Sequence, residues 1–143
     1  MDTTQSDADA VRAANLAFYR ALEADDPDAL AALVASSVPV TGIEPGQLRA
    51  SGRPALLAAC AAQASGARFE LHPQQTTVLG DVAWVTLVEE RLGGDPRFDD
   101  EARRVYRTHL FVREGDGWKL AHRHASPAPD DALSTSGRSP SLH

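Results

Sequence analysis

The sequence predicts an α+β domain in which helices come first and a hairpin-connected antiparallel sheet follows. Three observations carry this. Apolar residues recur at helical spacing as far as Ala64, the period changes to two from Arg68 onward, and glycine turns divide the later runs.

Ser6 followed by Asp9 reads as a capping box with Asp in place of Glu, which starts the first helix there. Val11, Ala14, Phe18 and Leu22, with Leu16 and Tyr19 beside them, form its apolar stripe, which ends near Ala24. In "DDPDALAALV" Asp26 caps a short second helix, and Pro27 takes the first position, where its missing N–H would be unpaired anyway. Leu30, Leu33 and Val34 face the core. "VPVTGIEPG" is β-branched and broken by Pro and Gly, so it is a short strand running into a turn. "SGRPALLAACAAQA" is a third helix, closed by Gly66. "RFELHPQQTTVL" alternates up to a turn at Gly80-Asp81, and its Pro73 requires a sheet edge or a bulge. "VAWVTLVEERL" is the next strand, "GGDPRFDD" a loop and "ARRVYRTHLFVRE" another strand. A tight turn at Asp116-Gly117 leads into the last one, "WKLAHRHAS". The expected organisation is a flexible stretch at 1–6, one domain at 7–128 and a disordered tail at 129–143.

With 143 residues the chain is long enough for one self-sufficient core, and 43% apolar with 24% charged residues is the usual globular mix. A net charge of -6 with Lys119 as the single lysine argues against a nucleic-acid surface, which needs a basic face. Cys60 is the only cysteine, so neither an intrachain disulfide nor a thiolate metal cluster is available. "MDTTQSDADA" is acidic and lacks the apolar stretch of a signal peptide, and no apolar run reaches bilayer-spanning length. A cytoplasmic protein without membrane contact is the expectation.

The pieces "FYRALEADDPDALAAL", "IEPG", "SGRPALLAA", "GDVAWVT" and "REGDGWKLAHRHASP", in this order, resemble the SnoaL-like, or NTF2-like, superfamily over roughly residues 7–128. The closing Trp–x–x–x–His–x–His–x–Ser run is also similar to the association domain of calcium/calmodulin-dependent protein kinase II. The resemblance implies a cone, with three N-terminal helices packed on one face of a strongly curved antiparallel sheet and a second subunit on the other. It implies a small organic ligand in the cone, a homodimer and no cofactor.

Strand parity distributes the side chains, because neighbours along a strand point to opposite faces. In the last strand Trp118, Leu120, His122, His124 and Ser126 share one face, and Lys119, Ala121, Arg123 and Ala125 the other. Matched to the family, Ala83, Val85, Leu87, Glu89, His109, Phe111, Ala121, Arg123 and Ala125 turn to the pocket. Trp84, Thr86, His122 and His124 turn to the partner subunit. His122 and His124 have the i, i+2 spacing of metal ligands, but no third ligand follows on that face, so no metal is expected.

The resemblance to ketosteroid isomerases places Glu44 of "GIEPG" where those enzymes carry their proton-abstracting carboxylate. An apolar cone mouth would raise its pKa, as a general base near neutral pH requires. The same alignment puts Phe18, not Tyr19, at the position of the oxyanion-binding phenol. Glu44, His109 and Arg123 are thus the catalytic candidates, and Phe18, Tyr19, Val85, Leu87, Glu89 and Phe111 the ligand-binding ones. Glu89–Arg123 is the expected ion pair, since a buried Arg requires a carboxylate. Two functions stay open: a small-molecule-binding protein, with cofactor-independent isomerase, cyclase or hydratase chemistry as its catalytic form, and a non-catalytic association domain using the outer sheet face for dimerisation. An epoxide hydrolase would need an Asp–Arg–Asp set, of which only Arg123 is on offer.

Overall fold

The computed structural model describes residues 3–93 and 103–133. Helix α1 spans Thr3–Ala24 and α2 Pro27–Ala32; β1 (Thr41–Ile43) and β2 (Ala50–Ser51) precede α3 (Arg53–Ala64). Four long strands follow: β3 (Ala67–Leu79), β4 (Val82–Gly93), β5 (Arg104–Glu114) and β6 (Gly117–Pro127). The six strands form one sheet in the order β2-β1-β6-β5-β4-β3. The α+β class is as expected, with one addition: short β1 runs parallel to β6, Thr41 pairing with His122 and Ile43 with His124. The sheet is therefore mixed, and helix α3 fills the connection that carries the chain from β2 to β3.

Local chemistry explains the helix boundaries. α1 begins ahead of the expected cap, so Ser6 is a helical residue and the stretch 1–6 is not wholly outside the helix. Its buried stripe is Val11, Asn15, Phe18, Tyr19 and Leu22, while Leu16 is exposed. Asp25 reverses the chain with φ 54, a left-handed conformation that a short polar residue tolerates. Asp26 then caps α2 as predicted, its carboxylate accepting from the Ala29 N–H at 3.1 Å. The far end of α2 is tied from outside: Arg53 donates to the Ala31 carbonyl in its last turn and to the carbonyls of Val34 and Ala35 just beyond it. One arginine thus ties the start of α3 to the end of α2.

The sheet has two irregularities of register among the described residues. Pro73 lies on edge strand β3, and the register shifts between Pro73 and Gln75, so the expected edge and bulge coincide. A second shift was not foreseen. Leu110 pairs with His122 but Phe111 with Leu120, which leaves Ala121 as an extra residue and reverses the parity of β6. Trp118 and Leu120 are consequently buried, on the same inward face as Arg123 and Ala125, rather than sharing a face with His122 and His124. The β5–β6 turn is also displaced by one residue: Glu114 pairs with Gly117, Gly115 has φ 61 and Asp116 does not have positive φ, the pattern of a type II′ turn.

The core lies between the helices and the inward sheet face, where Val11, Phe18, Leu22, Leu30 and Leu56 meet Val85, Leu87, Phe111, Trp118 and Leu120. Beyond Gly93, the loop expected at 93–100 lies outside the described residues, as does the tail after residue 133. The first residues of that tail turn back onto the domain: Ala132 is buried, and Arg104 donates to the Asp130 carbonyl at 3.2 Å. Among the described residues no helix is long and apolar enough to cross a membrane.

Candidate functional site

Seven polar side chains that an apolar core should exclude meet inside it. Glu89 on β4, Arg107 and His109 on β5, and Arg123 on β6 come from adjacent inward positions, His109 standing opposite Arg123. α1 adds Tyr19 and Asn15 from its buried stripe. Glu44, just past β1, reaches in from the cone mouth.

Arg107 is the hub. Its Nη1 and Nη2 grip Glu44 at 2.6 and 3.0 Å, and its Nε and Nη2 grip Glu89 at 3.0 Å each. Each carboxylate is held by a two-point fork, the strongest geometry open to an Arg pair. Glu89 also accepts from the Tyr19 hydroxyl at 2.5 Å, and Glu44 from the Gln63 amide at 3.0 Å. Arg123 sits one strand away and is bound more loosely. Its Nε donates to His109 Nε2 at 3.1 Å and its Nη1 to the Cys60 sulfur at 3.4 Å, while Glu44 and Glu89 stand at 3.5 and 3.6 Å. The Phe18 ring covers the guanidinium, its centroid 5.2 Å from Cζ.

These contacts fix the protonation states. Guanidinium N–H groups only donate, so His109 Nε2 must be the acceptor, and Nδ1–H donates to Asn15 Oδ1 at 2.7 Å. The imidazole is neutral; burial, then the charges of Arg123 and Arg107, push its pKa well down. Burial by itself would raise the Glu44 carboxyl, but Arg107 and Arg123 outweigh it and hold the pKa at about 2. Glu89 is lowered by the same balance of burial against Arg107 and Arg123. Tyr19 is pushed up by burial and by the Glu89 charge, so it remains a phenol and a donor. Two guanidinium and two carboxylate charges cancel.

A cavity of about 100 Å³ opens beside this cluster, between the β1–β2 connection and α3. Gly42, Leu56, Cys60 and Ala59 give it apolar walls, and Glu44, Gln63 and Arg123 its polar end. Gly42 keeps that wall thin: a Cβ would stand 2.6 Å from Leu56 Cδ1, so the Leu56 side chain would have to shift. Exposed Leu48 borders the opening.

The profile of the SnoaL-like domain matches residues 11–131, almost the whole described chain. The chain belongs to the SnoaL-like family. A Streptomyces avermitilis structure titled "putative dehydratase from the NTF2-like family" is 30% identical to this SnoaL-like chain. The match covers 89% of this chain and 99% of that one, with a TM-score of 0.74. The CaMKII hub of S. rosetta is 26% identical over 84% of this chain and 95% of its own, TM-score 0.67. An NTF2-like protein with a cystatin-like fold from Novosphingobium aromaticivorans, 21% identical over 92% and 88%, TM-score 0.71, shares the fold. No curated protein matches the chain.

Within this SnoaL-like fold the expected site residues divide into three groups. Glu44 and Arg123 border the cavity. Phe18, Tyr19, Val85, Leu87, Glu89, His109 and Phe111 all face inward and are buried, but they pack against one another rather than line the cavity. Trp84, Thr86, His122 and His124 face outward, with His122 Nδ1 2.6 Å from Thr41 Oγ1. Two expectations need correction. Glu44 is not a carboxyl raised by desolvation, because Arg107 forks it. Arg107, rather than Arg123, is also the close partner of Glu89.

The sequence contained the signals that were missed. Arg107 has the same odd parity as His109 and Phe111, and Asn15 and Gln63 are polar residues on otherwise apolar helical stripes, at Val11–Asn15–Phe18–Leu22 and Leu56–Cys60–Gln63. Ligand spacing for a metal occurs elsewhere than at His122 and His124: among the described residues, Glu70, His72 and Glu90 bring one ligand atom each within 4.8 Å of the others, with Glu90 already paired to Arg104.

Proposed function

We propose that this protein binds a small organic molecule in the cavity between the β1–β2 connection and α3, with Arg123, Glu44 and Gln63 contacting its polar end. The observation that carries the reading is the cavity itself: an apolar hollow closed at one end by a buried, pre-ordered array of charged groups, as small-molecule sites are built. Binding is better supported than turnover. His109 has both ring nitrogens engaged, and a Glu44 carboxylate with a pKa near 2 is a weak base for abstracting a proton at neutral pH. The chemistry within reach is polarisation of a carbonyl or hydroxyl by Arg123, without a cofactor. Thermal-shift screening of a fragment collection should give stabilised melts, because a ligand bound only to the folded state raises its stability. In Ala59→Phe, which puts a ring into the cavity from the exposed side of α3, those shifts should vanish. Shifts that persist would place the ligand elsewhere.

A second reading, self-association through the outer sheet face, is favoured by one specific feature. Trp84, Leu110 and Val112 are only half-buried there, beside exposed Val82 and Tyr106. An apolar sheet face of this kind is a candidate protein interface, and the S. rosetta relative is a hub. The two functions occupy opposite faces and are compatible. Light scattering should report a dimer for the wild type and a monomer for Trp84→Glu, whose charge would be buried unpaired at the interface. A wild-type monomer at micromolar concentration removes the dimer.

A further inference from the structure

We infer that the compound this cavity accepts is neutral, presents one hydrogen-bond acceptor such as a ketone, aldehyde, ester or amide carbonyl, and buries no more than about six non-hydrogen atoms. The inference rests on the binding reading above and narrows it.

The two arginines of the cluster differ in how much of their donor capacity is spent. Arg107 places all three nitrogens on carboxylate oxygens between 2.6 and 3.0 Å. Arg123 makes one ordinary hydrogen bond, to His109, and one to sulfur at 3.4 Å. Its remaining approaches, to Glu44 and Glu89, are 3.5 and 3.6 Å, beyond the range of a good N–H···O bond. Five N–H groups on a buried guanidinium are thus under-used, and Arg123 is the arginine that borders the cavity. An acceptor arriving there gains a charge-assisted bond.

Charge decides which acceptor fits. Arg107 and Arg123 already balance Glu44 and Glu89, and His109 cannot add a positive charge while its Nε2 accepts from Arg123. A carboxylate or phosphate on Arg123 would share that guanidinium with two carboxylates under 4 Å away and leave an excess buried negative charge. A cation would meet Arg123 itself. A neutral carbonyl disturbs neither balance. Size follows from volume: about 100 Å³ is less than the roughly 150 Å³ engineered cavity that encloses benzene. A larger molecule can enter only with its remainder outside, past Leu48.

The test compares cyclopentanone with methylcyclopentane, of the same size without the acceptor, and with cyclopropanecarboxylate, also of six non-hydrogen atoms, followed by amide NMR shifts of residues 42–63. Cyclopentanone should bind at least about tenfold more tightly than the hydrocarbon, the worth of one hydrogen bond to a charged group, and the carboxylate should not bind. Arg123→Met should erase the ketone preference while hydrocarbon binding persists. Should that variant not fold, Ala59→Phe, which leaves the charged cluster untouched, should abolish binding of both. If no probe moves the cavity amides, the binding reading itself falls. If the carboxylate binds as well as the ketone, or the hydrocarbon equals it, the cavity binds ligands but the proposed class is wrong.

Discussion

Arg107→Met should destabilise the domain by about 3–5 kcal/mol at pH 7, because removing one partner strands buried charges that stay behind. Besides their hydrogen bonds from Gln63 and Tyr19, Glu44 and Glu89 would retain only the Arg123 charge, at 3.5 and 3.6 Å, in place of four contacts of 2.6–3.0 Å. Against a total stability of about 5–15 kcal/mol for such a domain, that loss is severe. Its pH dependence identifies the cause. The folded wild type holds Glu44 at about 2 against 4.5 for the free group. The stabilisation linked to this depressed pKa is therefore fully present above pH 4.5 and is lost as pH falls toward 2. In the variant the carboxylates lose that support, desolvation raises their pKa values, and they take up protons at higher pH. The gap between the two proteins should thus be widest near neutrality and narrow in acid. Urea unfolding at pH 7 and pH 4 measures it. A loss under about 1 kcal/mol at pH 7, or a gap that widens in acid, would mean that Arg107 is not the keystone; Arg107→Lys, which cannot fork both carboxylates, should fall between.

This cluster shows what a sequence can and cannot disclose about a site. Periodicity located the three helices and four long strands; alternation in β4 and β5 grouped the side chains by face, and the family resemblance set Glu89 and His109 inward, where they are found. Parity alone failed in β6. The extra residue at Ala121 has no side-chain signature, because Ala is acceptable on either face, so Trp118 was read on the wrong side while Arg123, beyond the bulge, was read correctly. Partner choice was less legible still. That Glu89 chooses Arg107 over Arg123 depends on how β5 brings its Nε and Nη2 onto both oxygens, a matter of ångströms that spacing does not encode. The shift of Glu44 followed the same course: burial was foreseen, and the guanidinium that overrides it was not. The site is also smaller than an apolar cone implies, because the inward-facing polar groups fill with their own side chains the space a large ligand would occupy.

Phe18 is where that filling can be tested, and Phe18→Ala should cost about 3–5 kcal/mol, the range for truncating a buried aromatic. Its ring is fully buried, 5.2 Å from the His109 ring in an edge-on contact and 5.2 Å from Arg123 Cζ. A phenylalanine side chain cannot donate a hydrogen bond. Its work is to seal the Arg123–His109 pair under an apolar roof. Removing it leaves a hollow walled by a guanidinium and an imidazole, polar enough to admit water, unlike an engineered all-apolar cavity. Water would relieve the desolvation that contributes most to holding the His109 pKa down, so the imidazole should titrate closer to its ordinary value of 6.5. Phe18→Leu, which keeps most of the volume, should lose much less stability and leave the imidazole neutral. Urea melts give the first quantity and histidine ring NMR titration the second. A stability loss with no movement of the His109 titration would assign Phe18 to packing alone, and would show that the buried charges are kept dry by the rest of the core.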